Sequence, residues 1–564
     1  MRSRGPDAAG FFSQGNLAFG HRRLSILDLA PASQQPMMDN DLGLGIVFNG
    51  CIYNFRELKS ELRNKGYRFF SEGDTEVILK CYHAWGPDCV RRFKGMFAFA
   101  IWERDSGRVV LGRDRLGIKP LYFVEGPGFF RFASTLPALL AAGGVDTSLD
   151  PVALHHFFSF HAAVPPPRTV LNGVKKLAPG TLLTIEPDGT RKTDRYWSFA
   201  VGERPTDRHM TEAEWVDAVA GSMKSAVERR RVSDVPVGVL LSGGLDSSLI
   251  VALLAGLGHQ DIRTFSIGFE SVGQHSGDEF RYSDVIARHF STNHEQIRID
   301  SSRALEVLPD AISAMSEPMV SHDSVAFYLL SAEVAMRVKV VQSGQGADEV
   351  FGGYSWYPSF LAANDAGEQY QNSYFDWGHH DIGRLLSPEI VSRDFSREFV
   401  DAFFAQTSAP SPVDKALQID AEIMMVDDPV KRVDNMTMAF GLEARVPFLD
   451  HEVVELAARI PASLKVRDGG KYVLKQAARR FVPTEVIDRP KGYFPVPSLR
   501  YLRGEFLSYV RDILTSRRAR ERRLYRPEFV AHMLDHPEAE MSPKGHSRLW
   551  QAALLEAWLQ AHAI

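Results

Sequence analysis

The apolar run Val235-Pro236-Val237-Gly238-Val239-Leu240-Leu241 passes directly into Ser242-Gly243-Gly244-Leu245-Asp246-Ser247-Ser248, and no other stretch constrains this 564-residue chain as much. A short apolar run bounded by turn residues reads as a buried strand, and the residues after it read as a loop that opens a helix. Two adjacent glycines let the backbone come close to a ligand, while Ser247 and Ser248 stand where the helix begins. Unpaired N–H groups and the positive helix end then converge on an anion. Asp246 needs a cation beside bound phosphates, and Mg²⁺ suits it, because that ion takes one or two carboxylates together with phosphate oxygens. The loop points to ATP.

No Gly-Lys-Ser/Thr ending follows, so the pattern is not Walker A. It resembles the pyrophosphate-binding loop S-G-G-x-D-S-S of ATP pyrophosphatases. That resemblance implies attack at the α-phosphate, adenylation of an acceptor and release of pyrophosphate. A second stretch repeats the same physics. Lys339-Val340-Val341-Gln342 reads as a buried strand and leads into Ser343-Gly344-Gln345-Gly346-Ala347-Asp348-Glu349. Small residues again expose backbone N–H groups, and Asp348 offers a carboxylate to share the magnesium with Asp246.

Texture divides the chain in two. Residues 1–200 carry short apolar runs broken by Gly, Asn and Asp, the pattern of a strand-rich domain. Within it, Asn54 is expected to cap a helix over 55–65, a second helix covers 75–84, a third 151–160, and a hairpin ends at Tyr196-Trp197. Residues 201–210 are polar and charged and mark the boundary. From 211 to 564 strands alternate with helices: strands at 235–241, 262–269, 296–299 and 339–342, helices from 247, near 282–290 and over 325–336. This alternation predicts a parallel sheet with helices on both faces and its ligand at the carboxyl ends of the strands. From about Asp414 onward the chain reads as mostly helical.

Bulk properties narrow the function further. A length of 564 residues implies about two to four domains, and 45% hydrophobic content supplies their cores. The formal net charge of −5 gives no basic stripe for nucleic acid. Arg517, Arg518, Arg520, Arg522 and Arg523 cluster locally, and a solvated helix face accounts for them. Three cysteines, Cys51, Cys81 and Cys89, make no disulfide framework and have no zinc-ligand spacing, as suits a reducing cytosol. No stretch reaches transmembrane length and no secretory h-region is evident, so a cytoplasmic protein with no membrane partner is expected.

The two loops, in this order, resemble the asparagine synthetase family, whose second loop reads S-G-E-G-A-D-E. Arg432-Val433-Asp434-Asn435-Met436-Thr437-Met438, Gly441-Leu442-Glu443-Ala444-Arg445-Val446-Pro447-Phe448-Leu449-Asp450 and Arg489-Pro490-Lys491 carry the same resemblance. It implies ATP contacts at Leu240, Ser242, Gly243, Gly244, Asp246, Ser247, Ile267, Ser343 and Gly344, and magnesium at Asp246 and Asp348. Lys491 would sit near the pyrophosphate, where a positive charge stabilises the leaving group. Gln345 departs from the pattern, since asparagine-forming members carry Glu there. A neutral amide positions a nucleophile but cannot accept its proton. Either another base serves or the acceptor differs.

The first half resembles the class II glutamine amidotransferase domain, an Ntn-hydrolase-type α+β sandwich. Arg4-Gly5-Pro6-Asp7, His21-Arg22-Arg23-Leu24-Ser25-Ile26, Phe48-Asn49-Gly50, Gly73-Asp74-Thr75-Glu76 and Arg113-Asp114-Arg115-Leu116-Gly117 fall in the family order. The match implies that Arg23 holds the glutamine carboxylate and Asp74 its amino group, with Asn49 and the Gly50 N–H as oxyanion hole. The family nucleophile, an N-terminal cysteine whose own α-amine is the base, has no counterpart here. Arg4-Gly5-Pro6-Asp7 is reached by family members only after a few tens of residues, so a truncated, incomplete sandwich lacking at least one strand is expected. Cys51 stands where the family has Glu in N-G-E, and with no base beside it reads as a small buried thiol.

Asn49-Gly50-Cys51, Ser316-Glu317-Pro318-Met319-Val320-Ser321-His322-Asp323, Ser343-Gly344-Gln345 and Tyr354-Ser355-Trp356-Tyr357-Pro358 are similar to the branch that amidates N-acetylglutaminylglutamine to a neutral osmoprotectant. Trp356 and Tyr357 would then line an acceptor pocket larger than aspartate needs, or else pack in the core. Two alternatives stay open: asparagine synthesis from aspartate, and a catalytically impaired nucleotide-binding regulatory subunit. The expected partners are small molecules, namely ATP, glutamine or ammonia, and an acceptor carboxylate. A homodimer is an assembly the resemblance allows.

Overall fold

The computed structural model describes residues 1–269, 280–300, 302–388, 390–489 and 502–564. At the amino end β1 (Ala8–Gln14) and β2 (Leu17–Arg23) form an antiparallel hairpin. Strands β3 (Met37–Asp39), β4 (Leu44–Ile52), β5 (Gly95–Glu103) and β6 (Val109–Arg113) belong to a larger antiparallel sheet. A smaller sheet joins β7 (Tyr122–Gly126), β8 (Phe129–Ala133) and β9 (Lys175–Lys176) in the order β8-β7-β9. The hairpin β10 (Thr181–Ile185) and β11 (Arg191–Arg195) completes the larger sheet, whose order is β11-β10-β6-β5-β4-β3.

Period-two alternation sorts the side chains of that sheet. On β4, Ile46 and Phe48 face the helices Phe55–Asn64 and Asp74–Trp85. Val47, with Ala98, Ala100 and Trp102 of β5, turns the other way onto Phe19, Leu121 and Phe123. The result is a helix layer over two sheet layers. Asn54 precedes its helix as expected but does not cap it: its amide donates to Arg92 O at 3.0 Å and its oxygen accepts from Lys94 N at 2.8 Å. A side chain that can reach the loop before β5 is withdrawn from local capping.

The second half holds a wholly parallel sheet of β12 (Val237–Leu240), β13 (Arg263–Phe269), β14 (Asn293–Ile299), β15 (Val340–Gln342) and β16 (Glu443–Arg445), in the order β14-β13-β12-β15-β16. From β12 the chain winds outward through β13 and β14, then returns to the other side of β12 with β15 and β16. The direction therefore reverses between β12 and β15, and the crevice at such a reversal is where ligands bind in open α/β sheets. β14 starts three residues before the expected 296, because polar Asn293, His294 and Glu295 pair along β13 without an apolar signature. β16 was not foreseen at all. Its Glu443 and Arg445 give no apolar strand signature, yet Arg445 is fully buried and donates to Glu443 Oε1 at 2.9 Å.

Beyond Pro412 the chain is mainly helical. Between Pro412–Ile419 and Lys431–Met438 lie two π-helical stretches, Asp420–Met424 and Val426–Val430, the second enclosing Pro429. A widened turn accommodates a residue that cannot donate an N–H, and such stretches gather at functional sites. The two halves meet through buried ion pairs. Lys176 reaches Glu317 at 3.0 Å and Asp427 at 2.8 Å, while Arg4 and Lys119 reach Asp434 at 2.8 and 3.2 Å.

Candidate functional site

The loops after β12 and β15 stand on the two sides of the reversal crevice. Asp246 lies in the first turn of the helix Leu245–Gly256, and Asp348 in the first turn of Ala347–Phe351. Gly344 is where the loops touch: a Cβ there would lie 2.9 Å from Asp246 Cβ and 3.2 Å from Ser247 N, so a side chain would drive them apart. Within the first loop the Ser247 hydroxyl accepts from Ser242 N at 3.2 Å, and Ser242 Oγ accepts from Gly244 N at 3.3 Å. These bonds hold the turn open toward a cavity of about 1100 Å³. Leu240, Ser242, Gly244, Asp246, Ser247, Ile267, Ser343, Gly344, Gln345 and Asp348 all line it. Gly243 does not. Its φ is +72°, and a Cβ would meet Ser283 N at 2.5 Å, so its role is to let the loop pack on the helix Phe280–His289.

Sequence reasoning missed the cation at the centre of this crevice. Lys471 Nζ lies 2.7 Å from Asp246 Oδ2 and 3.0 Å from Asp348 Oδ1. Burial alone would lower its pKa, but the two carboxylates more than reverse that and hold the ammonium above its usual range. A single ammonium reaching both carboxylates shows that their oxygens converge on one point, and paired hard oxygen donors beside a phosphate-type loop fit Mg²⁺. The signal available in the sequence was Gly469-Gly470-Lys471, a lysine after a glycine pair. Arg489 also lines the cavity, stacked 4.3 Å over Tyr282. Lys491 lies outside the described residues.

The rest of the wall includes aromatic and polar residues. Tyr354 stacks on Trp356 with centroids 4.2 Å apart, and both line the cavity together with Tyr374. Tyr357, paired with Trp356 in the sequence reading, instead packs fully buried in the core, its hydroxyl donating to Asp420 at 2.5 Å. Asp420 and Asp323 line the same space, and burial pushes each carboxyl up to about 6. Buried Glu349 accepts from the Tyr354 hydroxyl at 2.6 Å, and burial followed by the neighbouring Asp348 raises it to about 7.

A second constellation sits in the first half. Asn49 and Gly50 lie on β4. The Asn49 amide nitrogen is buried and meets no acceptor among the described residues, as a donor reserved for a ligand would be. Gly50 has φ +148°, and a Cβ there would lie 2.1 Å from Met96 O. Asp74 opens the helix Asp74–Trp85 and accepts from Ile52 N at 2.9 Å; burial raises it to about 6. Arg23 lies close enough to feel the charge of Asp74, and its terminal nitrogens donate to the carbonyls of Leu27, Asp28 and Ala30. The four residues are thus brought together. Cys51 is 1% exposed, and burial raises its thiol well above the ordinary value, so it is an inert thiol.

These features define a two-part chain: a parallel α/β domain with a glycine-rich crevice at its strand reversal, joined to an antiparallel domain with a buried polar cluster of Arg23, Asn49, Gly50 and Asp74. A family model described as asparagine synthase matches residues 218–560, and one described as a glutamine amidotransferase domain matches residues 1–197. The chain is 32% identical to glutamine-hydrolysing asparagine synthetase 1 of Bacillus subtilis, over 98% of this chain and 91% of that one. It is 33% identical to a putative asparagine synthetase of Mycobacterium tuberculosis (100% and 92%) and 29% to asparagine synthetase B of Escherichia coli (88% and 77%). The chain belongs to the asparagine synthase family, ligases that use ATP to form C–N bonds and carry a glutamine amidotransferase domain. No described helix is long and apolar enough to cross a membrane.

Proposed function

We propose that this chain adenylates the carboxylate of N-acetylglutaminylglutamine, releasing pyrophosphate, and that ammonia then displaces AMP from the acyl adenylate to form the terminal amide. One observation carries the reading: a single cavity of about 1100 Å³ is lined both by the two glycine-rich loops with Lys471 and by the aromatic rings of Tyr354, Trp356 and Tyr374. Residues 211–564 are the synthetase part and 1–200 the glutamine part. Ser242, Gly244, Ser247, Ser343 and Gly344 cradle the phosphates, and Leu240 and Ile267 offer apolar surface to the nucleotide. Asp246 and Asp348 would hold Mg²⁺, which neutralises phosphate charge when bound. Lys471 stabilises charge on the α-phosphate and its leaving group, with Lys491 as a second cation. Gln345 orients the incoming ammonia without taking its proton. In the glutamine part Arg23 and Asp74 grip the amino acid, and Asn49 with Gly50 N–H forms the oxyanion hole.

The test is pyrophosphate release by the purified chain with MgATP, ammonia and either the blocked dipeptide or aspartate. Release with the dipeptide is expected. Release with aspartate alone refutes the acceptor and supports the second reading, asparagine synthesis, which the names of the relatives favour. ATP binding with no release on either acceptor would instead indicate a regulatory subunit, a reading motivated by Gln345. Asp246→Ala and Asp348→Ala should each abolish turnover.

A further inference from the structure

Away from the crevice, three segments bring two imidazoles and a carboxylate to one point. His155 lies on the helix Pro151–Ser159, His379 opens the helix His379–Leu385, and Asp394 caps the helix Phe395–Gln406. His155 Nε2 is 3.1 Å from His379 Nδ1 and 3.8 Å from Asp394 Oδ1. Each of the three offers a ligand-type atom within 4.8 Å of the other two. On a tetrahedral zinc ion, ligand atoms bound at about 2.0–2.2 Å stand roughly 3.3–3.6 Å from one another. The two measured separations bracket that spacing.

The groups behind the cluster orient it. Ser396, fully buried, lies 2.7 Å from His155 Nδ1 and 3.0 Å from His156 Nδ1. Its hydroxyl has one proton for two rings, so it donates to one and accepts from the other. When it accepts from His155 and donates to His156, His155 Nε2 is left as a lone pair facing His379 and Asp394. A metal-bound imidazole is held in this way, its second nitrogen donating to a fixed partner. Burial lowers His155 to about 4 and His156 to about 3, so neither ring has to shed a proton at neutral pH before a metal binds. Phe395 meets the His155 ring edge-on with centroids 5.9 Å apart. Asp394 accepts from Arg397 N at 3.0 Å and keeps further lone pairs for a ligand. The flanking charges are paired with one another, Glu398 with Arg393 at 2.6 Å and Arg397 with Asp401 at 2.9 Å.

We propose that His155 Nε2, His379 Nδ1 and the Asp394 carboxylate bind a zinc ion, with water at its fourth position, and that this ion ties the two halves of the chain together. Imidazole nitrogen suits zinc and its transition-metal neighbours, whereas Mg²⁺ takes oxygen. His155 lies among the residues matched to the amidotransferase domain, and His379 and Asp394 among those matched to the synthase domain. None of the three lines the cavity that holds Asp246 and Asp348, so the ion stands apart from the ATP chemistry. The Asp394 side chain is 27% exposed, which gives the ion a path from solvent to the buried His155. The inference does not depend on the acceptor.

The test uses the untagged full chain, stripped with a chelator and titrated with zinc chloride alone. Wild type should bind one equivalent by calorimetry, and its thermal midpoint should rise as zinc is added. His379→Asn keeps an N–H to donate to His155 but removes the imidazole, and Asp394→Asn keeps the helix cap but removes the carboxylate. Each should weaken zinc binding about tenfold or more and abolish the rise, with its metal-free midpoint near that of wild type. Magnesium in place of zinc should shift wild type and His379→Asn alike. X-ray absorption of the zinc-loaded wild type, which needs no variant, should show imidazole scattering and no sulfur at about 2.3 Å. Absence of zinc binding by wild type, a sulfur shell, or unchanged affinity in both variants overturns the site. A magnesium response that His379→Asn abolishes overturns the choice of ion. Zinc binding that both variants lose, without a rise in the wild-type midpoint, overturns the tie between the halves.

Discussion

Replacing Lys471 by methionine tests the centre of the crevice by two independent readouts. The wild-type ammonium is buried, 2.7 Å from Asp246 and 3.0 Å from Asp348, and methionine fills nearly the same volume without the charge. Two carboxylates are then left facing each other, and removing one partner of a buried ion pair costs about 3–5 kcal/mol. The variant should unfold at a visibly lower temperature without Mg²⁺. If Asp246 and Asp348 form the metal site, added Mg²⁺ replaces the missing cation and raises the thermal midpoint of Lys471→Met more than that of wild type. In turnover, a preorganised charge lost from the reacting phosphate is worth about 3–4 kcal/mol, or roughly 10²–10³-fold in pyrophosphate release. Arginine should not rescue it. A planar fork does not put one compact charge on the point where Asp246 and Asp348 converge. The measurements are differential scanning fluorimetry over a magnesium series and pyrophosphate release with ammonia. Turnover of Lys471→Met near the wild-type rate would refute the catalytic role, and equal magnesium shifts in the two proteins would refute the shared carboxylate site.

Three further outcomes are expected. Gly344→Ala should keep the fold but weaken ATP binding by calorimetry, since its Cβ would sit 2.9 Å from Asp246 and overpacking of this kind costs about 1–3 kcal/mol. Glutamine binding should weaken as pH falls through about 6, where burial has placed the Asp74 carboxyl; its neutral form cannot pair with an ammonium, and titrations at pH 5 and 7.5 decide this. Lys176→Met should destabilise by about 3–5 kcal/mol at neutral pH, leaving Glu317 and Asp427 short of a cation. Burial tends to raise the Glu317 pKa, but Lys176 and Lys431 hold it below 4.5, so its ionic contribution is present above that value and is lost as pH falls through the native pKa. The gap between Lys176→Met and wild type in thermal midpoint should therefore narrow in acid, and a gap independent of pH would refute the ionic account.

What the sequence disclosed was local. Ser242 to Ser248 and Ser343 to Asp348 each carry a strand, a turn and a helix start within a dozen residues, so composition and spacing suffice to locate them. Lys471 stands more than 100 residues from Asp348 in the chain, and its charge alone looks like that of any surface lysine. Only the parallel sheet brings it between the two carboxylates. The same holds for His161, Asp376 and His546, which stand 215 and 170 residues apart in the chain and are joined by packing, both rings bonding to the Asp376 carboxylate. Asn54 failed as a cap for the opposite reason: a tertiary partner outcompeted a correct local preference. Trp356 and Tyr357 are neighbours in sequence, yet a 3-10 turn beginning at Tyr357 sends one ring to the cavity and the other into the core.

The two halves are coupled through β16. Its Arg445 is fully buried and donates to the carbonyls of Arg230 and Val232, its backbone carbonyl accepts from Ser343 N at 2.9 Å, and its guanidinium lies 5.5 Å over Tyr53. Ser343 begins the second phosphate-facing loop, while Tyr53 follows the β4 residues Asn49 and Gly50. One strand of three residues thus supports the crevice on one side and meets Tyr53 of the first half on the other. Its charge is balanced locally, since Glu443 on the same strand accepts from Arg445 and faces Lys119 of the first half at 4.0 Å. A displacement of β16 would therefore be felt in both halves, at Ser343, whose N–H bonds to the Arg445 carbonyl, and at Tyr53, under the Arg445 guanidinium.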